Sequence, residues 1–370
     1  MKKTVVIATD TDIFNNNKMF DYDFGKNYFG VVAMHYFHKF LPEYQVITAD
    51  IAIKMIDEKS LDAKDVMVIQ EQDSKLGEAL IAKGAFAHTV YCFESQIYAR
   101  PFYQKLQSLP QKFKNRIFFN GMFEHTKDCD EAHNYHSYFP SYDDCEILEP
   151  LDWNKRDFVA LVMGNKYIDH NNLFPRKIRF KKIVKWAVKK YADKDETDKY
   201  LSENELQNTR LEFVELFGSK GVLKLFGAGW DYVDNLPKSW EKRLKDIVFK
   251  LSPKPLHDKF VEISKCKFNL CIENLSYKGY VTEKIIHSFV AGSIPVYLGA
   301  SNVEEFIPKN CFIDVRDFSD KEELFEFMKN LSQENALEYL KRGREFLNSD
   351  EGKKYSFKGY AKFLAELVKA

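Results

Sequence analysis

The sequence has no surplus of charge of either sign. Lys and Arg together number 55, and Asp and Glu together also number 55, so the formal net charge is zero. A balanced chain lacks the overall basic excess that draws proteins to nucleic acid or to acidic membranes. We therefore expect no nucleic-acid partner, and any site for an anion must be built locally.

Paired cysteines and long apolar runs are also missing. The six cysteines include no CxxC pair, and both Cys92 and Cys271 lie in apolar, strand-like runs. This placement favours buried reduced thiols over disulfides. The apolar run Thr4–Ala8 is too short for a signal peptide or a membrane anchor. The sequence predicts a cytoplasmic protein, at most peripherally associated with the inner face of the membrane, and it gives no indication of the oligomeric state.

Several common cofactor and nucleophile motifs are absent as well. The chain contains no P-loop, no GxGxxG and no GxSxG. A lone DxD, Asp10-Thr11-Asp12, follows the first strand-like run and is predicted to be a loop. The cluster of His125, Cys129, His133 and His136 fits no standard zinc spacing. The sequence thus predicts no metal site and no required cofactor, with a divalent metal at most stimulating activity.

Strand-like and helix-like segments alternate along the chain, whose 370 residues suggest two domains. This alternation is typical of parallel sheets covered by helices. In the first half the predicted strands are Thr4–Ala8, Tyr44–Thr48, Val66–Ile69 and His88–Phe93, and the predicted helices are Tyr28–Phe40 and Lys75–Lys83.

The second half contains a clear βαβ pattern. Strands Phe268–Ile272 and Ile294–Leu298 flank a helix over Glu283–Ala291, with Gly292 as its C-terminal stop. Residues 95–152 are predicted to be irregular, and the charged residues 192–222 are predicted to form a variable surface excursion. The other predicted elements are strands Phe158–Met163, Lys224–Phe226 and Phe312–Val315, and helices Arg176–Tyr191, 321–332, 334–347 and one from about Gly359.

The loop inside this pattern has the features of a phosphate site. The strand ends in Glu273-Asn274, and the helix begins at Glu283-Lys284. Ligands of open α/β sheets bind at the carboxyl ends of strands, where helix N-termini attract anions. Lys284 in the first helical turn opposes the helix dipole, which a bound anion would explain, and Glu283 can accept from ribose hydroxyls. The alternative is that Thr282 caps an ordinary helix whose Glu283 and Lys284 are solvated.

The segment 267–318 resembles the donor-site signature of the α-1,3/4-fucosyltransferases, glycosyltransferase family 10, here of the soluble bacterial type. In order it supplies an apolar strand, E-N, a loop, Y-V-T-E-K, a helix, A-G and I-P-V-Y-L-G. The resemblance implies that Glu283 holds the ribose of the donor and that Lys284 binds its diphosphate. It also implies that Asn274, Tyr280 and Thr282 face the donor.

Two segments upstream also resemble this family. Asn165 and the helix from Arg176 match its Asn-containing loop and its Arg-bearing helix, in which an Arg contacts the donor phosphates. Arg176 and Arg179 both fit, and Arg176 is favoured because it lies nearer the helix N-terminus. Glu94 matches the candidate general base of the family's E-S-P turn, although Gln96 replaces the Pro. Alternatively, Glu94 simply ends a strand.

The resemblance implies a GT-B fold, in which two Rossmann-like α/β domains face each other across a cleft. Residues 1–155 would bind the acceptor, residues 156–350 would bind the GDP-sugar donor, and residues 351–370 would form a helix packing back on the N-terminal domain. The implied reaction is inverting transfer of L-fucose from GDP-fucose to a hydroxyl of an N-acetylglucosamine or glucose unit in a glycan such as lipopolysaccharide. Alternatives are another GDP-sugar or acceptor on the same fold, and a catalytically inactive nucleotide-sugar-binding protein.

Overall fold

The computed structural model describes residues 3–71, 74–91, 116–119, 134–137, 139–165, 204–230, 236–253, 256 and 258–369. The chain divides into two compact units. The first unit comprises Met1–Cys145 and Asn348–Ala370, and the second comprises Glu146–Leu347. Each unit is built on a parallel sheet, so the predicted α/β class with two such sheets is confirmed.

The sheet of the first unit has the strand order β2-β1-β3-β4-β5-β6 among the described residues. Strand β1 is buried along its whole length, because parallel strands are covered by crossover helices on both faces. The strands are β1 (Thr4–Ala8), β2 (Gln45–Thr48), β3 (Val66–Glu71), β4 (Phe86–Tyr91), β5 (Arg116–Phe119) and β6 (Asn134–Ser137). The helices of this part are α1 (Tyr22–Gly25), α2 (Val32–Phe40), α3 (Ala49–Asp57) and α4 (Lys75–Ala82).

The sheet of the second unit has the order β11-β10-β9-β7-β8 in the described part of the chain. Strand β9 lies between β10 and β7, and every residue from Phe268 to Ile272 is buried. The strands are β7 (Asp157–Val162), β8 (Leu223–Phe226), β9 (Cys266–Ile272), β10 (Ile294–Leu298) and β11 (Ile313–Asp314). The helices are α5 (Gln207–Ser219), α6 (Lys238–Leu251), α7 (Lys259–Ser264), α8 (Glu283–Ala291), α9 (Lys321–Asn330) and α10 (Gln333–Asn348).

The C-terminal segment returns to the first unit through α11 (Asp350–Lys353) and α12 (Phe357–Lys369). Helix α12 packs along α2, and its apolar face joins the same core as Phe37 and Leu41. The backbone N–H of Ser141 donates to the carbonyl of Tyr355 at 2.7 Å. This bond joins the C-terminal segment to the end of Met1–Cys145, the other segment of the first unit.

The predicted βαβ unit is confirmed, with helix α8 at the predicted bounds. Its stop residue, Gly292, has a φ of +67°, in the left-handed region where glycine is favoured. A Cβ at this position would also lie 3.2 Å from the Cα of Pro150. Backbone conformation and packing therefore both explain why the helix ends at a glycine.

Two regional predictions are wrong. Within the expected surface excursion, residues 207–219 form α5, whose apolar side chains at 211, 213, 214 and 217 are fully buried. The charged residues between these positions suggested a solvent-exposed segment, but the apolar residues recur at helical spacing and form one face of the helix. Within the region expected to be irregular, the described residues include β6, at one end of the first sheet. Strand β6 reads Asn-Tyr-His-Ser, which lacks the apolar run of a central strand.

Candidate functional site

The candidate donor site lies at the carboxyl edge of the second sheet. Strands β7 to β10 run parallel, so the residues that follow them meet at one edge. Asn165 lies beyond β7, Asn274 lies beyond β9, and Gly299 follows β10. Helix α8 begins beside the same edge at Glu283, because the loop after β9 leads into it. Most of the predicted donor residues are therefore brought together, as expected for an open α/β sheet.

At the centre of this edge is the carboxylate of Glu273, whose side chain is 0% exposed. It accepts hydrogen bonds from the backbone N–H of Thr282 at 2.8 Å, from the Thr282 hydroxyl at 2.7 Å and from Nζ of Lys284 at 2.8 Å. The space beside it requires a glycine, since a Cβ on Gly299 would lie 2.4 Å from Cγ of Glu273. Packing and hydrogen bonds thus fix this buried charge in one place.

Lys284 is held by the same group of residues. Its Nζ also donates to the hydroxyl of Thr282 at 2.7 Å and lies 3.8 Å from Oε1 of Glu283. Burial acts to lower the pKa of Lys284, but the nearby carboxylates of Glu273 and Glu283 outweigh burial and raise the pKa above its usual value. Lys284 is therefore a cation at neutral pH, and its side chain is 19% exposed.

Glu283 lies between two lysines. Its Oε1 is 3.7 Å from Nζ of Lys259, in helix α7, and 3.8 Å from Nζ of Lys284. Burial acts to raise the pKa of Glu283, but the charges of Lys284 and Lys259 hold the pKa well below its usual range. We call Lys259, Glu283, Lys284 and Glu273 the charge chain, because their charges alternate along the contacts. In it Glu283 is an ionised acceptor beside a cation.

Asn274 and Tyr280 are oriented by a buried arginine of α5. Nη2 of Arg210 donates to the carbonyl of Ile272 at 2.7 Å and to Oδ1 of Asn274 at 2.6 Å. Nδ2 of Asn274 then donates to the Tyr280 hydroxyl at 3.4 Å. The Asn274 amide is thus fixed with its oxygen toward Arg210 and its nitrogen toward Tyr280, which is itself mostly buried.

Asn165 is anchored to the turn that follows β8. Its backbone N–H donates to the carbonyl of Ala228 at 2.8 Å, and its Nδ2 donates to the carbonyl of Gly229 at 3.2 Å. Its Oδ1 is buried and has no hydrogen-bond partner among the residues that the structure describes. Close packing requires glycine in this turn, because a Cβ on Gly227 would lie 2.1 Å from the Met163 carbonyl oxygen. The turn after β8 thus holds Asn165 in place at this edge of the sheet.

Three predicted site residues lie outside the described residues, namely Glu94, Arg176 and Arg179. Asp10 of the DxD accepts from the Ser74 hydroxyl at 2.9 Å, at the start of α4, so it has a structural partner there. Within the described ranges no group of three or more His, Cys, Asp or Glu side chains could hold a metal ion. None of the described helices is long and apolar enough to cross a membrane.

Sequence reasoning missed three residues of the site, Glu273, Arg210 and Lys259. The Glu-Asn pair marks the end of β9, and an acidic residue directly after a fully apolar strand indicates a buried carboxylate. A lysine that opposes the helix dipole needs a negative partner, and Glu273 supplies one within the chain. Arg210 lies 62 residues from Ile272 along the chain, so no local pattern could connect them.

A comparison with known families relates this region to one family of glycosyltransferases. A sequence profile for the C-terminal region of glycosyltransferase family 10 (fucosyltransferase) matches residues 178–346. Residues 178–346 are therefore similar to the C-terminal region of that family. This family 10 region contains the whole charge chain, Arg210, Asn274 and Tyr280, whereas Asn165 and Glu94 precede it.

Individual relatives match a shorter stretch. The mouse 4-galactosyl-N-acetylglucosaminide 3-alpha-L-fucosyltransferase 9 is 47% identical over 77 residues, covering 20% of this chain and 21% of that protein. The Arabidopsis thaliana alpha-(1,4)-fucosyltransferase is 42% identical over 72 residues, covering 20% of this chain and 18% of that protein. The chain thus spans about a fifth of the length of the curated relatives it matches.

A solved structure extends the likeness to the whole chain. The glycosyltransferase from Rickettsia africae superposes with a TM-score of 0.54 at 11% identity, covering 100% of this chain and 98% of that one. At this identity the likeness concerns the fold alone. The predicted GT-B class is confirmed in its two α/β units with parallel sheets.

Proposed function

We propose that this protein is an inverting glycosyltransferase that moves L-fucose from GDP-fucose to a hydroxyl of an N-acetylglucosamine or glucose unit, in the manner of an α-1,3-fucosyltransferase. The observation that carries the proposal is the charge chain at the start of α8, inside the family 10 region. It places a held cation and an ionised acceptor side by side at the edge of the sheet where nucleotides bind.

The start of α8 suits the diphosphate of the donor. Thr282 is the N-cap residue but makes no side-chain hydrogen bond to the helix, since its hydroxyl is turned toward Glu273. The N–H groups of the first turn are therefore not taken by the cap residue, and the helix dipole favours negative charge there. An ammonium group has three N–H donors, of which Lys284 directs two to Glu273 and Thr282. The third can donate to a phosphate oxygen.

Another group suits the nucleoside part of the donor. Glu283 is ionised and can accept from ribose hydroxyls, as acidic residues do in other nucleotide sites. Asn165, beyond β7, is a further donor-facing residue that the family resemblance implies. Asn274 and Tyr280, linked to Arg210 by hydrogen bonds, are other donor-facing residues that the family resemblance implies.

In the proposed reaction Glu94 removes the proton of the acceptor hydroxyl, whose oxygen attacks the anomeric carbon in line while GDP departs. Negative charge builds on the diphosphate, so Lys284, the start of α8 and an arginine at 176 or 179 would stabilise the transition state. The roles of Glu94 and the arginines rest on the family resemblance. Because these cations belong to the chain, we propose that no metal is required and that a divalent ion at most stimulates.

The arginine assignment has a direct test. Arg176→Ala and Arg179→Ala should differ strongly in kcat, by on the order of 10²-fold, since only one of them can face the diphosphate. We favour Arg176. If both variants keep wild-type turnover, neither arginine contacts the donor.

A donor and acceptor screen tests the proposed activity. The full chain is incubated with GDP-fucose, GDP-mannose or UDP-glucose and a set of glycans ending in N-acetylglucosamine or glucose, and products are analysed by mass spectrometry and NMR. We expect one deoxyhexose to be added, only from GDP-fucose and with inverted anomeric configuration. Addition of a hexose from GDP-mannose would instead identify another GDP-sugar as the donor. GDP binding without transfer or donor hydrolysis would identify a nucleotide-sugar-binding protein.

The finer parts of the proposal concern the setting of the reaction. We propose a soluble, bacterial-type enzyme that acts in the cytoplasm, at most peripherally at the membrane, on glycans such as lipopolysaccharide. The balanced charge of the chain supports at most peripheral membrane association, because it gives no overall attraction to acidic lipids. Fractionation of the source cells, together with lipopolysaccharide fragments in the acceptor screen, would test it.

A further inference from the structure

We propose that Glu273 is a positioning residue for the donor diphosphate, acting through Lys284. Its side chain is fully buried, so the carboxylate contacts Lys284 rather than the donor. This inference rests on the proposed function, because it assigns a role to Lys284 in donor binding. It adds a residue that holds the cation in place and keeps it charged.

The carboxylate of Glu273 cannot move without moving the backbone around it. The backbone N–H of Glu273 donates to the carbonyl of Leu298 at 2.8 Å, which joins it to the end of β10. The carboxylate accepts from both the N–H and the hydroxyl of Thr282. Gly299 leaves only enough room for it, and the Tyr297 hydroxyl closes the same space. A group fixed in this way can locate a flexible partner.

Lys284 is such a flexible partner. The lysine side chain has a flexible four-carbon stem, and an ammonium group without hydrogen-bond partners would sample many positions. Here Oε2 of Glu273 and Oγ1 of Thr282 hold two of its N–H donors at 2.8 and 2.7 Å. The remaining N–H is thereby given a direction, which is the preorganisation that a binding group needs to favour one ligand geometry.

The charges that face Lys284 also depend on Glu273. Glu273 and Glu283 raise the pKa of Lys284, while burial and the charge of Arg210 lower it. Lys259 adds a further positive charge on the far side of Glu283. The neighbouring thiol, Cys271, is neutral, because burial raises its pKa to about 12.

Removal of the Glu273 charge therefore lowers the pKa of Lys284, since burial and Arg210 are then opposed mainly by Glu283. The ammonium form of Lys284 is the one that binds phosphate. A variant without this carboxylate therefore loses the ammonium form, and with it phosphate binding, at a lower pH than the wild type does. A glutamine at position 273 would also turn its NH2 group toward either the Lys284 ammonium or the backbone N–H of Thr282, which are both donors.

The test uses Glu273→Gln in the full chain, with calorimetric titration of GDP and of guanosine. We expect GDP affinity to fall between about tenfold and 100-fold, the range seen when outer partners that orient metal ligands are removed. Guanosine affinity should stay the same, because guanosine has no phosphate to meet Lys284. We also expect the GDP dissociation constant of the variant, divided by that of the wild type, to rise with pH. Ionisation of the guanine base affects both proteins equally, so it does not change this ratio.

A matched control is Asp314→Asn, which removes another buried carboxylate of the same unit. Asp314 is 2% exposed, and its ion-pair partners are Arg316 at 2.6 Å and Lys309 at 3.6 Å, neither of which belongs to the charge chain. Its loss should lower the melting temperature without changing the preference for GDP over guanosine. If Glu273→Gln does not fold, Glu273→Asp is used instead, because it keeps the charge but withdraws it by one methylene. GDP affinity should then fall, while guanosine affinity should stay the same.

The outcomes separate the inference from the proposed function. A variant at position 273 that binds GDP as tightly as wild type does overturns the inference alone. Equal losses of GDP and guanosine affinity also overturn it, since they indicate a general effect on the fold of the site. Wild-type protein that binds neither ligand overturns the proposed function and, with it, the inference.

Discussion

The replacement Lys284→Met separates the structural role of the charge chain from its proposed role in donor binding. Methionine keeps much of the length and the apolar stem of lysine but removes the charge and all three donors. The carboxylate of Glu273 then stays buried without its cation, although it keeps its hydrogen bonds to the N–H and hydroxyl of Thr282. Both stability and activity should fall, for different reasons.

The magnitudes can be worked from these contacts. Removing one partner of a buried ion pair costs about 3–5 kcal/mol, and the remaining bonds to Thr282 place this case near the lower end, at about 3 kcal/mol. For a unit the size of Glu146–Leu347, each kcal/mol corresponds to about 2–4 °C, so the melting temperature of this unit should fall by about 6–12 °C. Loss of one preorganised donor to the departing diphosphate should lower kcat by about 10²–10³-fold.

The double variant Lys284→Met with Glu273→Gln distinguishes the two effects. It removes the uncompensated buried charge, so stability should recover toward wild type while kcat stays low. Melting is followed by calorimetry and transfer by release of GDP from GDP-fucose. Recovery of activity together with stability would refute the reasoning, because it would show that Lys284 serves the fold alone. A single variant that melts at the wild-type temperature would refute the buried ion pair itself.

Three further predictions concern other residues. Glu94→Gln should keep GDP affinity but lower kcat by about 10²–10⁴-fold, as expected on loss of a general base, and an unchanged kcat would remove that assignment. Gly299→Ala should cost about 1–3 kcal/mol in unfolding experiments, because the added carbon would lie 2.4 Å from Cγ of Glu273, whereas Gly25→Ala meets atoms no nearer than 3.4 Å and should cost less. Burial lowers the pKa of His88 to about 4, so the unfolded chain binds the proton more tightly than the folded chain does. The free energy of unfolding should therefore fall by roughly 3 kcal/mol as the pH falls from about 6.5 to about 4. His88→Gln should remove this dependence on pH. If the free energy of unfolding of the variant falls over the same pH range as that of the wild type, other groups cause the dependence.

Local patterns predicted the elements that carry the site. An apolar strand, a polar loop and an amphipathic helix ended by Gly292 were enough to predict α8 at its observed bounds. The position of Glu283 and Lys284 at the start of that helix followed from the same pattern. The likeness to family 10 was predicted from the residues after β9, and it is confirmed for residues 178–346.

Contacts between distant residues could not be predicted in this way. Whether Lys284 meets a ligand or a buried carboxylate depends on how the loop folds over the end of β9, and the structure gives it Glu273. Arg210 reaches Asn274 across 64 residues of chain, and its helix was hidden by surrounding charges. The roles of Glu94 and of the two arginines stay predictions, since these residues lie outside the described part of the chain.

The most direct test of the central claim is calorimetric titration of the wild-type chain with GDP and with UDP, in the presence and absence of EDTA. A donor site built from Lys284, Glu283 and the start of α8 predicts that GDP binds with the same affinity in both buffers, because the cations belong to the protein. The proposed use of GDP-fucose predicts in addition that UDP binds more weakly, because UDP carries a different base. Equal binding of both nucleotides, no binding of GDP, or binding that disappears with EDTA would contradict the account.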